Sequence, residues 1–325
     1  MIALGQAVAE IPSAFIKDEH PRPVGLPSAT FVSADRTLAR NGRTFHWARR
    51  LMGDVHAQRA TRLYSFCRYI DDLADETCSP AAAQDALGAI GHALRTGVTA
   101  DPQTQDGIRL LEQCKIEAAI PLLLIEGVSS DLRPVRVADL SELLRYCYHV
   151  AGTVGLMMSA ALDVTDRDAT PHAIDLGIAM QITNMCRDVY EDACIGRRYL
   201  PSTMVGGMQP QCLVVPTAED RALADSSVLR LLDIAELYYA SGEDGLAHLP
   251  QRARRGVLVA ARVYRAIGTR VRHRNTWSAR AAVSDLAKTV ISARALMEPS
   301  REPCAHNPAL HAALIGLPGT NDHKS

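Results

Sequence analysis

The chain has 325 residues, 47% hydrophobic and 22% charged, an ordinary soluble composition with ample apolar material for a sizeable core. Lys and Arg total 35 against 36 Asp and Glu, a net charge of -1, so no nucleic acid is expected as a partner. The eight cysteines show no CxxC spacing and read as free thiols in a reducing cytosol.

Residues 1–30 carry Pro12, Pro21, Pro23 and Pro27 with little periodicity, and are expected to form a loosely ordered arm. The start, Met1 to Gly5, lacks a cationic stretch followed by a long apolar one, so no secretory signal is expected. Beyond the arm, apolar residues recur at three- and four-residue spacing, as in Leu140, Leu143, Leu144, Cys147 and Val150. Strand-like alternation is nearly absent. The pattern predicts helices over 36–52, 58–76, 81–96, 104–126, 139–161, 171–194, 217–241, 251–271 and 280–296. Expected starts are Ser33 or Asp35, Asp139 or Ser141, and Thr170-Pro171, with breaks at 77–80, 129–134, 196–216 and 242–250. The fold class expected is all-α: one domain over 31–298, then a flexible tail over 299–325 holding Pro303, Pro308 and Pro318. The longest apolar stretches, 118–125 and 150–162, fall short of the roughly 20 residues that span a bilayer. A cytoplasmic protein, at most peripheral at the inner face of the membrane, is expected.

Two acidic clusters carry the chemistry. The first is Asp71-Asp72-Leu73-Ala74-Asp75-Glu76, where Asp71 and Asp75 share a helix face and Arg68 stacks above Asp71 and Asp72. In the second, Asn184, Asp188 and Asp192 fall at i, i+4 and i+8 along one stripe, with Glu191 beside them. Like charges four residues apart cost a bare helix about 0.2–0.5 kcal/mol, and a divalent cation would relieve that repulsion. A solvated face of ordinary Asp/Arg pairs would account for either cluster alone. Two such clusters, each preceded by Cys-Arg (Cys67-Arg68 and Cys186-Arg187) within apolar helix, point instead to magnesium-bound diphosphate. Neither cluster has the alternating ligands and central glycine of a calcium loop. The histidines show no metal-ligand spacing, so zinc is not expected.

The runs Tyr64–Asp75 and Gln181–Asp192 resemble the two signatures of the squalene/phytoene synthase family, and Tyr146–Gly155 resembles its central helix. Arg198-Tyr199-Leu200-Pro201 follows the second signature, and Thr44-Phe45 and the Arg280…Ser284…Lys288 spacing also match. The resemblance spans about residues 35–295 and implies an isoprenoid-synthase helical fold with a central cavity. It implies that Asp71, Asp75, Asn184, Asp188 and Asp192 hold magnesium (manganese as substitute), with Arg68, Asn184, Arg187, Tyr264 and Arg280 contacting substrate. Asp71, Asp75, Asp188, Asp192 and Tyr148 are the implied catalytic residues.

Two positions depart from the family pattern. Ala74 stands where some members are acidic. His149 stands where some have tyrosine, so the tyrosine role is assigned to adjacent Tyr148 and His149 reads as a hydrogen-bonded core residue. The implied reaction is head-to-head condensation of two geranylgeranyl diphosphates to phytoene through a cyclopropylcarbinyl (prephytoene) diphosphate, without a nicotinamide cofactor. Downstream carotenoid enzymes are the implied protein partners. Squalene or dehydrosqualene formation from farnesyl diphosphate is the alternative, and a non-catalytic assembly protein a further one. A chain-elongating prenyltransferase, read from Asp71-Asp72-Leu73-Ala74-Asp75 as DDxxD, fits the second cluster poorly. Two features stay open: small residues at Ala151–Gly155 serve a prenyl tail or close helix packing, and the basic runs 252–255 and 270–274 serve a solvated face or anionic lipid.

Overall fold

The computed structural model describes residues 48–77, 79–273, 280–298 and 302–320. The N-terminal arm, the predicted helix up to residue 47 with Thr44-Phe45, and Cys78 lie outside the described residues; Arg49–Leu51 form a 3-10 turn.

Helix starts follow local chemistry. The first helix, α1 (Asp54–Glu76), is followed by α2 (Pro80–Thr96), α3 (Pro102–Gln113) and α4 (Ala119–Ser130). Ser79 and Asp101 cap α2 and α3, each ahead of a proline whose missing N–H is not needed in the first turn. Asp139 caps α5 (Leu140–Cys147), accepting from the Glu142 N–H at 2.9 Å, while Ala138 N–H donates back to the Glu142 carboxylate at 2.7 Å. A π-helical turn at Tyr148–Gly152 joins α5 to α6 (Thr153–Ala161). Next come α7 (Ala169–Arg187), α8 (Val189–Cys194), and the short α9 (Ser202–Val205) and α10 (Pro210–Val214). The long α11 (Ala218–Asp244), α12 (Gln251–Arg272) and α13 (Asp285–Met297) follow, then a 3-10 helix at Pro308–Leu314. No strand occurs among the described residues, where an isolated bridge pairs Arg136 with Arg198.

Three differences from the sequence pattern have physical causes. The helix predicted over 104–126 is two helices, because the chain turns at Lys115 with φ 55° and Ile116 N–H donates to the Leu111 carbonyl at 2.8 Å. Glycine usually takes that left-handed position, so a lysine there leaves no signal. The helix predicted over 171–194 is interrupted at Asp188, with φ -100° and ψ 17°, although Asp188 and Asp192 still bond back to Asn184 and Asp188. The third difference is the tail. Residues 302–320 dock on the helices: Tyr148 and Tyr238 each donate to a carbonyl there at 2.7 Å, those of Pro318 and Leu310, and Leu314 is buried.

The core forms around α7, whose Ile174, Ile178, Ala179 and Ile182 have no exposure and pack against α11, α6 and α12. A second cluster gathers Leu63, Phe66 and Ile70 of α1 with side chains of α2, α3 and α4. Small residues bring α6 and α7 close: a Cβ at Gly155 would lie 2.1 Å from the Ala173 oxygen, and one at Gly177 2.2 Å from the oxygen of Ala151. Helix packing therefore requires these glycines, while Ala151, Val154 and Gly155 also line the interior cavity. Arg254 bonds the carbonyls of Ala247 and Leu249, and Arg272 pairs with Asp233 at 2.7 Å, so part of the basic charge is engaged within the fold. No described helix is long and apolar enough to cross a membrane. The described cysteines are free thiols.

Replacing Gly177 by alanine is expected to cost about 1–3 kcal/mol, read as a lower urea midpoint at unchanged slope. An unshifted midpoint would mean that α6 and α7 are not in such close contact.

Candidate active site

Helices α1, α4, α6, α7 and α12 enclose a cavity of about 830 Å³, large among ligand pockets, which run roughly 300–1,000 Å³. Its lining on α7 runs from Ala169 to Asp188, a helical distance of about 28 Å at 1.5 Å per residue. The N-terminal part of that run presents Ala173, Leu176, Gly177 and Met180, and the C-terminal part presents Asn184, Arg187 and Asp188. An elongated apolar chamber thus ends in a charged mouth.

Asp71, Asp75, Asn184, Asp188 and Asp192 all line this one cavity, and so do Arg68, Arg187, Tyr264 and Arg280. The helical periodicity that aligned each cluster also turns both towards the same space. Arg68 donates to Asp71 at 3.0 Å and pairs with Asp72. Asp188 is gripped from two sides: Arg187 Nε donates at 2.7 Å, and Arg280 binds both oxygens, at 2.9 and 3.0 Å. Burial would raise the Asp188 carboxyl, but these two guanidiniums outweigh it and hold it below the usual carboxylate range.

Asp71 and Asp192 behave oppositely. Burial, with Asp75, Asp72 and Asp131 nearby, pushes Asp71 up to about 6 against the pull of Arg68. Burial and the Asp188 and Asp131 charges raise Asp192 to about 7. At both, burial and neighbouring carboxylates together outweigh the pull of the arginines.

Tyr148 is not part of this assembly. It is fully buried outside the cavity lining, and its hydroxyl bonds the Pro318 carbonyl, so the catalytic role expected of it has no geometric basis. In this segment the tyrosine that lines the cavity is Tyr146, two residues earlier, alongside Tyr64, Tyr199 and Tyr264 from elsewhere in the chain. His149 does not line the cavity either; its Cβ would lie 2.6 Å from a Cβ placed on Gly127.

Sequence reasoning missed a polar group at the mouth. Asp131, in the predicted break after α4, accepts from Tyr146 at 2.7 Å and Tyr199 at 2.9 Å. Arg197 links the clusters, donating to Asp75 at 3.1 Å and to the Asp131 carbonyl at 3.3 Å. Only the position of Arg197 just after the second cluster hinted at this. Asn184 Oδ1 is buried with no hydrogen-bond donor. With the neighbouring carboxylates it forms an all-oxygen donor set, which suits a hard cation such as magnesium.

Comparison with known proteins points to one family. A family model described as squalene/phytoene synthase matches residues 38–287. A phytoene synthase of Pseudescherichia vulneris is 34% identical over 253 residues, covering 74% of this chain and 81% of its own length. A 15-cis-phytoene synthase of Paracoccus sp. is 35% identical over 267 residues, covering 74% and 82%. Among solved structures, a dehydrosqualene synthase superposes with a TM-score of 0.69 at 25% identity, over 82% of this chain and 95% of that one. A squalene synthase from Alicyclobacillus acidocaldarius shares the fold with a TM-score of 0.66 at 21% identity, over 75% and 93% of the two chains. By sequence and by fold, the chain belongs to the squalene/phytoene synthase family.

Proposed function

We propose that this chain is a magnesium-dependent prenyltransferase that condenses two geranylgeranyl diphosphates head to head into phytoene, within carotenoid biosynthesis. The observation that carries the reading is the meeting of both acidic clusters at the charged mouth of one elongated apolar cavity. The similarity to bacterial phytoene synthases supports the choice of substrate.

Each residue then has a task set by the charge that develops. Breaking the allylic C–O bond leaves negative charge on diphosphate and positive charge on carbon. Arg68, Arg187, Arg197 and Arg280 bring guanidiniums to the diphosphate end, where charge-assisted bonds are strongest. Magnesium, held by Asp71, Asp75, Asn184, Asp188 and Asp192, would supply further positive charge to the leaving group. Beyond the mouth, Leu124, Val128, Val154, Met158, Leu176 and Met180 wall off water from the carbocation and hold the tails. The cyclopropylcarbinyl diphosphate ionises in turn, so the same arginines serve both stages. Work in the cytoplasm, contact with a membrane surface and hand-over to downstream carotenoid enzymes fit a hydrocarbon product and belong to the same proposal.

Purified protein incubated with magnesium and labelled geranylgeranyl diphosphate, without nicotinamide, is expected to yield a forty-carbon hydrocarbon. The Asp71→Ala and Asp188→Ala variants should lose at least about a hundredfold in rate. A thirty-carbon product made only from farnesyl diphosphate would move the chain to the squalene or dehydrosqualene branch.

Arginine at 280 grips both oxygens of Asp188, a geometry that lysine cannot reproduce. Arg280→Lys should therefore behave nearly like Arg280→Ala, each raising KM by roughly tenfold. Full activity of the lysine variant would reduce Arg280 to a simple point charge.

Magnesium binding should also depend on pH. Protons compete with the cation at Asp71 and Asp192, whose carboxyls lie near about 6 and about 7. Both are ionised above that range and protonated below it. Apparent magnesium affinity is thus expected to fall on the order of tenfold from about pH 8 to about pH 6. A flat profile in a magnesium titration would place the cation elsewhere.

A further inference from the structure

Helix α7 carries a second cluster of ligating groups, away from the acidic mouth. Asp175 is fully buried nine residues before Asn184, about 13.5 Å along the helix axis. Two imidazoles from the docked C-terminal segment converge on it. His306 Nε2 lies 2.8 Å from one carboxylate oxygen and His311 Nε2 lies 2.8 Å from the other. The three donor atoms lie within 4.8 Å of one another. Ser241 of α11 also donates to Asp175, at 2.5 Å.

We infer that Asp175, His306 and His311 form a binding site for a borderline divalent transition metal, zinc foremost. Two imidazole nitrogens and one carboxylate are a donor set that zinc favours and magnesium does not. A tetrahedral zinc with bonds of about 2.0–2.1 Å needs its ligands roughly 3.3 Å apart, so the 2.8 Å contacts open only slightly to admit it. Zinc takes the Nε2 lone pair of each imidazole, whose ring proton then sits on Nδ1, and water takes the fourth position beside the partly exposed His306.

The ligands come from segments far apart in the chain, so the ion staples residues 302–320 to the helical body. The staple stands behind the cavity. His172, which lines the cavity, contacts Ser241 at 2.9 Å through Nδ1 and the Cys304 carbonyl at 3.2 Å through Nε2. Loading the site stiffens this far wall without adding any group to the reaction. The inference does not rest on the prenyl-transfer reading.

The test uses the full chain, stripped by chelation and then held in excess magnesium to fill the oxygen-donor mouth. Cobalt is titrated first as a spectroscopic probe, then zinc. One equivalent of cobalt should produce the intense visible absorption of a tetrahedral site, and zinc should abolish it. His306→Ala and His311→Ala should each weaken cobalt binding at least tenfold and remove the band, whereas Asp71→Ala should retain it. Zinc should raise the thermal midpoint of the wild-type chain in the same buffer. If the alanine variants fail to fold, the wild-type titration and the volume-conserving His306→Gln variant still decide. No tetrahedral band in the wild type, or a band indifferent to both histidines, would overturn the inference and leave a hydrogen-bonded clasp.

Discussion

Like charges crowded at the end of an apolar chamber are the constraint on which the rest of this structure depends. Two helices deliver carboxylates into one space, and a third acidic group, Asp131, stands between them. The fold answers with cations placed by hydrogen bonds: Arg187 and Arg280 on Asp188, Arg68 on Asp71, and Arg197 between Asp75 and Asp131. Two tyrosine hydroxyls complete the shell of Asp131. Compensation is incomplete at Asp71 and Asp192, whose carboxyls are raised first by burial and then by the neighbouring carboxylates. A folded chain keeps such a deficit where function calls for it, at the expense of stability.

That deficit demands a rigid frame. Helix α7 provides it by being buried along most of its length, with glycines letting α6 approach to backbone contact. It also links the two ends of the molecule. Its C-terminal end presents Asn184, Arg187 and Asp188 to the mouth, while Asp175 nearer its N-terminus holds the C-terminal segment through His306 and His311. Between them lies the apolar lining. The polarity gradient along a single helix thus separates a charged leaving-group end from a hydrocarbon chamber.

Much of this was legible from residues close together in the chain. The i, i+4 spacings of Asp71/Asp75 and Asn184/Asp188/Asp192 survive in the structure, because backbone bonds four residues apart persist even where α7 breaks at Asp188. The cap at Asp139 and the all-helical class were equally local. The break at Lys115 was not, since a lysine took the turn usually given to glycine. Nor was the inward tyrosine. A π-helical turn runs from Tyr148 to Gly152, and helix packing leaves Tyr146, not Tyr148, on the cavity.

By itself the sequence determined the helices, the pairing of two carboxylate clusters with arginines, and the apolar stripes beside them. Each repeats with the helix period and so leaves a trace in spacing. Only the tertiary structure decided that Tyr146 and Tyr199, 53 residues apart, would share Asp131. It alone brought His311 onto Asp175, 136 residues away, and laid the C-terminal segment against Tyr148. These contacts arise when whole helices pack to bury their apolar faces. The partners can stand anywhere in the chain, and no periodicity marks them.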